Sequence, residues 1–227
     1  MFCPVALAGR DSGLSVRLLS CDKVTFMSNQ TIRAVLLDYG GVIAEEGFRN
    51  GLRDLAREQG IDPAMMHHVA TVVVYETGFV LGWGSEATFW SAMREETGLE
   101  GSDAALTRRI LDGFTLRPWV IEHVRRWRAQ GVITGILSDQ SHWLDELDAR
   151  DHFFAEFDHV FNSYHLGKGK RDPTLFDDIA KRLKLPPGDI LFIDDLRGNI
   201  ERALAAGWQA VYSDDKTSFE AGIKQYM

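Results

Sequence analysis

Apolar and polar positions fall in blocks along this chain. Four short runs are apolar and end in polar residues: AVLLD at 34–38, VITGILSD at 132–139, DILFIDD at 189–195 and QAVYS at 209–213. Runs of this kind read as strands buried on both faces. DHVFNS at 158–163 is a weaker fifth. Between them the period changes to that of a helix. Val120, Val124 and Trp127 share one face of a segment with Pro118 near its start and Gly131 as its stop. Leu175, Ile179 and Leu183 recur at four-residue spacing. NIERALAAG closes a further short helix with a glycine. Strands alternating with helices predict an α/β fold: a Rossmann-like parallel sheet with helices on both faces.

Residues 45–114 break this rhythm. They hold no convincing strand and about four helical segments, near 48–59, 63–77, 86–97 and 103–113. An all-helical block directly after the first strand predicts a small cap domain over the C-terminal edge of the sheet. The core is then 31–44 with 115–227, and the cap 45–114. Phe89 and Trp90 are expected to pack inside that cap. Core packing is also the expectation for Tyr75, Phe79 and Trp83, with pocket lining as the other reading. His67 and His68 have no matching acid or histidine spacing and are expected at the surface or in the core. Residues 1–30 show no clear amphipathic helix and form an N-terminal extension of unassigned role. Met27 stands just ahead of the first strong strand and is a candidate start.

Composition narrows the class. With 227 residues, 45% hydrophobic and 26% charged, the chain is long enough for a sizeable core. A formal net charge of -8 argues against a nucleic-acid partner, because phosphate attraction needs a basic face. It leaves room for a small phosphorylated metabolite held by one or two cations. No apolar run reaches the length of a membrane span, and no basic residue precedes the apolar patch at the N-terminus, so neither membrane nor secretory signal is expected. Two cysteines, Cys3 and Cys21, make no disulfide framework or zinc site. A reducing, cytoplasmic setting follows, with a monomer or homodimer as the expected assembly.

The chemistry-bearing residues stand at the strand ends, where parallel sheets build their sites. Asp38 ends the first run, followed by Gly40 and Gly41. Ser138 and Asp139 end the second, and Asp194 and Asp195 the third. A basic loop, GKGKRDP at 167–173, supplies Lys168 and Lys170. It is not a nucleotide P-loop, because no Ser or Thr follows its Gly-Lys. Three acids brought together would repel one another, and a divalent cation removes the conflict. Oxygen donors without Cys or His favour Mg2+. Ser138 and Lys170 can hold a phosphate, and Asp38 is a candidate nucleophile towards phosphorus.

The order LLDYGGVI, ILSDQ, GKGKRDP and LFIDD resembles the four motifs of the haloacid dehalogenase-like hydrolase superfamily, over roughly residues 32–213. The helical insert resembles the cap of the subfamily that places it between motifs one and two. The resemblance implies that Asp38 is nucleophile and metal ligand, and that Ser138, with Asp139 beside it, binds the phosphoryl group. Lys170 is the motif-three lysine, with better spacing from Asp172-Pro173 than Lys168, although Arg171 replaces the usual first proline. Asp195 is the motif-four metal ligand and Asp194 its direct or outer partner. Asn199 falls where relatives carry an asparagine at a helix entry. The departure is Gly40, where most phosphatases of the family carry a second aspartate as general acid/base. The carbonyl of that residue is the family's metal ligand, and Gly40 keeps it. Such a proton-transfer group contributes roughly 10²–10⁴-fold, and Glu45 or Glu46 are candidates to replace it. The expected activity is Mg2+-dependent hydrolysis of a small phosphomonoester through an aspartyl-phosphate. The alternatives are a metal-free dehalogenase, against which Gly40 and the Asp194–Asp195 pair both speak, and a non-catalytic binder of phosphorylated ligands.

Overall fold

The computed structural model describes residues 31–226; the N-terminal extension, Met27 and both cysteines lie outside the described residues. Five parallel strands form one sheet: β1 (Ala34–Leu37), β2 (Ile133–Ser138), β3 (His159–Asn162), β4 (Ile190–Asp194) and β5 (Gln209–Tyr212). Their spatial order is β3-β2-β1-β4-β5. Each apolar run of the sequence supplies one of these strands, the weak fifth included.

The helices in chain order begin with α1 (Gly47–Glu58), α2 (Pro63–Glu76), α3 (Glu86–Thr97) and α4 (Asp103–Leu111), all between β1 and β2. Then come α5 (Pro118–Ala129), α6 (Trp143–Asp151), α7 (Ser163–Leu166), α8 (Leu175–Leu183), α9 (Arg197–Ala205) and α10 (Lys216–Ile223). Several starts are legible in the residues. Asp62, Ser85 and Ser102 accept from backbone N–H groups of α2, α3 and α4, and Pro63 and Pro118 open α2 and α5. Gly98 takes the left-handed conformation that ends α3.

The strands bury both faces, and the period of two sorts their side chains between two cores. Val35 and Leu37 face one core, which takes in α5, α6 and α10; Ala34 and Leu36 face the other, formed with α8 and Trp208. The helical insert joins the first core through an aromatic cluster. Phe79 and Phe89 lie 5.3 Å apart, and Trp143, at the start of α6, lies 5.2 Å from Phe79 and 6.0 Å from Phe89. Phe89 and Trp90 are buried as expected, but Trp83 is 73% exposed and packs in no core. Its indole nitrogen lies near Gly167 instead, where a Cβ would come within 3.3 Å.

The strand order sets the place of the site. The chain leaves β1 towards β2 and β3, then crosses to the other side of β1 to make β4 and β5. The crevice at the carboxyl ends of β1 and β4 is the switch point where parallel sheets bind ligands. Leu37 is in register with both Ile193 and Ile136. Asp38 and Asp194 therefore emerge level from neighbouring strands, and Ser138 follows one residue beyond Leu137, the β2 residue level with Asp38.

Candidate active site

Asp38 is almost fully buried, and one of its oxygens is fixed. Oδ1 accepts from Ser138 Oγ at 2.6 Å and from the Tyr39 backbone N–H at 2.8 Å, and the Lys170 ammonium lies at 3.0 Å. Lys170 also donates to Asp194 Oδ2 at 2.6 Å and is only 1% exposed. Lys168, the rival lysine, is turned outward to Thr174 and Asp178 at 2.6 Å each. Burial by itself would lower the affinity of Lys170 for its proton. The carboxylates of Asp194, Asp38 and Asp139 outweigh that effect and keep the ammonium charged.

The two acids after β4 behave differently. Asp194 is wholly buried and its oxygens are well supplied with donors: Lys170, the Leu196 N–H at 2.7 Å, and Asn199 Nδ2 at 2.9 and 3.0 Å. This gives the asparagine in the first turn of α9 a definite task. Among the described residues Asp195 pairs directly with Arg49 alone, at a loose 3.9 Å, although its side chain is 7% exposed. Burial, with Asp194 beside it, pushes its carboxyl up to about 6 against the pull of Arg49. Burial likewise pushes Asp38 up to about 8; Lys170 and Ser138 oppose the rise, and Asp194 and Asp195 add to it. Oxygens of Asp38, Asp194 and Asp195 lie within 4.8 Å of one another. Asp38 and Asp195 both hold a proton more tightly than an ordinary carboxyl, a shortage of positive charge that a hard divalent cation among these oxygens would relieve.

The neighbouring glycines are not equivalent. Gly41 has φ +82°, and a Cβ on it would stand 2.3 Å from Asp195 Oδ2. Only glycine fits there. Gly40 has no such φ, and its Cβ would meet Phe114 at 3.3 Å and Glu46 Oε1 at 3.4 Å.

Asp139, expected beside Ser138 at the phosphoryl group, has a carboxylate already engaged by protein donors. It accepts from the Lys170 backbone N–H at 2.8 Å and 3.1 Å, and from the Tyr75 hydroxyl at 2.5 Å. A carboxylate engaged by donors on both oxygens holds the Lys170 loop to α2, and an approaching phosphate would meet its like charge. Arg171, which replaces the proline of the related motif, lies 3.9 Å over the Tyr75 ring. Tyr75 is thus the hub of a contact between the insert and the sheet. No spacing in the sequence links positions 75, 139 and 171.

These groups open into a cavity of about 410 Å3 between the sheet edge and the insert, within the usual range for small-molecule sites. Asp38, Gly40, Ser138, Asp139, Lys170 and Asp195 all line it. Its apolar lining includes Phe48, Val74 and Phe79 of the insert and Trp143 of α6, and Arg49 and His67 of the insert line it too. Phe79 therefore both packs in the core and borders the cavity, and His67 is a lining residue.

Comparison with known proteins agrees with this geometry. A family model described as haloacid dehalogenase-like hydrolase matches residues 32–207. The chain belongs to the haloacid dehalogenase-like hydrolases. Among curated relatives, the enolase-phosphatase E1 of Picosynechococcus sp. is 29% identical over 178 residues, which cover 72% of this chain and 77% of that protein. The enolase-phosphatase E1 of Thioalkalivibrio sulfidiphilus is 31% identical over 97 residues, covering 41% of this chain and 43% of the relative. The chain spans about half the length of several of the curated relatives it matches. Solved structures share the fold. One is a HAD family enzyme of Bacteroides thetaiotaomicron, described as a complex with magnesium and inorganic phosphate. It superposes with a TM-score of 0.63 at 17% identity, over 80% of this chain and 93% of that one. A predicted HAD-like family hydrolase from Porphyromonas gingivalis gives 0.64 at 18% identity, over 86% and 97%.

Proposed function

We propose that this haloacid dehalogenase-like hydrolase is a Mg2+-dependent phosphatase acting on a small phosphomonoester through an aspartyl-phosphate on Asp38. The observation that carries the reading is the Asp38 carboxylate itself. One oxygen is pinned by Ser138, Tyr39 N–H and Lys170, in a cavity where Asp38, Asp194 and Asp195 come together around the single buried ammonium of Lys170.

Pinning one oxygen aims the other at a bound ester. Ser138 and Lys170 stand where a phosphoryl group beside Asp38 would need a hydrogen-bond donor and a cation. Asp38 and Asp195 would hold the Mg2+, with the Gly40 carbonyl as the family's third protein ligand and Asp194 as a buried, donor-saturated support. When bound, the ion neutralises charge on the phosphoryl oxygens and lets Asp38 remain ionised. Helices α1 to α4 act as a cap whose apolar wall receives the group esterified to phosphate. The substrate is then a phosphomonoester with a compact and largely apolar organic part. The phosphatase relatives and the magnesium- and phosphate-bound structural neighbour support the same class.

The test is Asp38→Asn. The amide keeps the shape of a buried side chain and lacks the nucleophilic charge. The wild-type chain should turn over an aryl phosphate in the presence of Mg2+, and the folded variant should not. A variant that keeps most of the wild-type rate would remove Asp38 from the reaction.

A further inference from the structure

Gly40 carries no acid, yet a carboxyl group faces the space above it. Oε1 of Glu46 lies 3.4 Å from where a Cβ of residue 40 would be. The oxygens of an aspartate at position 40 would stand about one bond length closer to that Cβ. Glu46 Oε1 thus lies at contact distance from position 40, beside the region an aspartate carboxyl there would occupy.

The backbone around Glu46 is fixed. Gly41 N–H donates to Ala44 O, Glu45 N–H to Thr115 O and Arg117 N–H to Ile43 O, each at 2.8 Å. Gly47 follows, packed so closely on Phe114 that a Cβ would fall 2.4 Å from its ring. Glu46 caps α1: its Oε2 accepts from Arg49 N–H at 2.9 Å, which turns Oε1 towards position 40. The side chain is 16% exposed and lines the same cavity as Asp38. Arg49 Nε also lies 3.3 Å from Oε2. Glu45 differs in its exposure and in how its oxygens are held. It is 54% exposed, and both its oxygens are held by Arg117 at 2.9 and 2.8 Å. Burial raises the Glu46 carboxyl above the ordinary glutamate range, against Arg49, whereas the Arg117 hydrogen bonds lower Glu45.

We propose that Glu46 is the proton donor and acceptor of this enzyme, working from the N-cap of α1 beside Gly40. The inference rests on the phosphatase reading and deepens it. In the first half-reaction the bond from Asp38 to phosphorus forms as the ester P–O bond breaks, and the proton of Glu46 goes to the departing oxygen, giving the alcohol. In the second, Glu46 as carboxylate takes a proton from water as the water oxygen bonds phosphorus. The Asp38–P bond breaks and inorganic phosphate leaves, with Asp38 restored as carboxylate and Glu46 protonated.

The experiment compares kcat/KM for glycerol 2-phosphate, a poor leaving group, and 4-nitrophenyl phosphate, a good one, with Mg2+. Glu46→Gln keeps an oxygen for the cap and cannot supply the proton. It should lose ~10²-fold or more on the alkyl ester and less than ~10-fold on the aryl ester. The retained aryl rate serves as the control for folding. Glu46→Asp, a good N-cap residue that withdraws the carboxyl by one methylene, should show the same selective loss. Glu45→Gln should leave both rates within about twofold, as an exposed ion pair predicts. Equal loss on both esters, or no loss on the alkyl ester in either folded Glu46 variant, overturns the proposal and leaves the phosphatase reading standing. Absence of Mg2+-dependent turnover by the wild-type chain on either ester overturns that reading, and the proposal falls with it.

Discussion

Asp195→Asn should make the metal-free protein more stable, an unusual outcome for removing a buried polar charge. Asp195 sits at 7% side-chain exposure with Asp194 adjacent and Arg49 no closer than 3.9 Å. Its carboxyl is pushed from 3.8 to about 6 on folding. A folded-state value above the unfolded one means that the folded chain binds the proton more tightly. That advantage is complete below pH 3.8, and it is lost as pH rises through about 6. At pH 8 the ionised side chain therefore costs ~3 kcal/mol, and at pH 4 only ~0.5 kcal/mol. The amide removes this cost while keeping the side chain's volume. Urea unfolding in EDTA should show Asp195→Asn more stable than wild type by ~1–3 kcal/mol at pH 8, with the difference closing towards pH 4. Mg2+ should raise the stability of the wild type at pH 8 by binding only the folded state, and should do little for the variant. A variant no more stable than wild type at pH 8 in EDTA would show that Arg49 and solvent already compensate Asp195, and the charge-deficit reading of the trio would fail.

Three further substitutions test the architecture. Lys170→Met strips Asp38 and Asp194 of their shared buried cation and should cost ~3–5 kcal/mol in urea unfolding; a cost under ~1 kcal/mol would mean that the ammonium does not hold the two acids together. Gly41→Ala forces φ +82° on a residue with a Cβ and drives it into Asp195 Oδ2. It should lose ~2 kcal/mol or more along with the Mg2+-induced rise in melting temperature, and an intact Mg2+ response would show that the turn can open. Tyr75→Phe removes only the hydroxyl that donates to Asp139. It should lower the melting temperature by ~2–6 °C and raise KM more than it lowers kcat, because Lys170 keeps its own contacts; an unchanged melting temperature would mean that the clasp carries no weight.

The strands were legible because a parallel sheet buries both faces and writes itself as uninterrupted apolar runs. AVLL, ITGILS and ILFID needed no tertiary information. The helices of the insert announced themselves by caps such as Asp62 and Ser85. What escaped was short or mixed. Helix α6 runs only from Trp143 to Asp151, with acidic residues on both sides of Leu147, and α7 is a single turn capped by Asn162. Periodicity has too few turns to register in either. Trp83 was misplaced for another reason. Its size favours burial, but the loop between Gly78 and Gly82, both left-handed, turns it outward, and composition carries no information about that direction.

The site divides along the same line. Asp38, Ser138, Asp194 and Asp195 are fixed by strand ends, and a strand end is a position that sequence states directly. Lys170 over Lys168 followed from motif spacing, and burial now gives the physical reason: one ammonium is enclosed by acids and the other is turned outward to Thr174 and Asp178. Asp139, Tyr75 and Glu46 depend on how the insert lies against the sheet, and no local pattern encodes that. Glu45 and Glu46 make the point most sharply. They are the same residue type one position apart, and only the turn from Gly40 to Gly47 decides which faces the cavity. The glycine that looks like a loss when set beside the family's motif borders the same cavity as Glu46, whose carboxyl lies at contact distance from it. A Cβ at position 40 would stand 3.4 Å from Glu46 Oε1, an ordinary contact, and 3.3 Å from Phe114, which would have to give by a few tenths of an ångström. A substitution at position 40 therefore changes the surroundings of Glu46 directly.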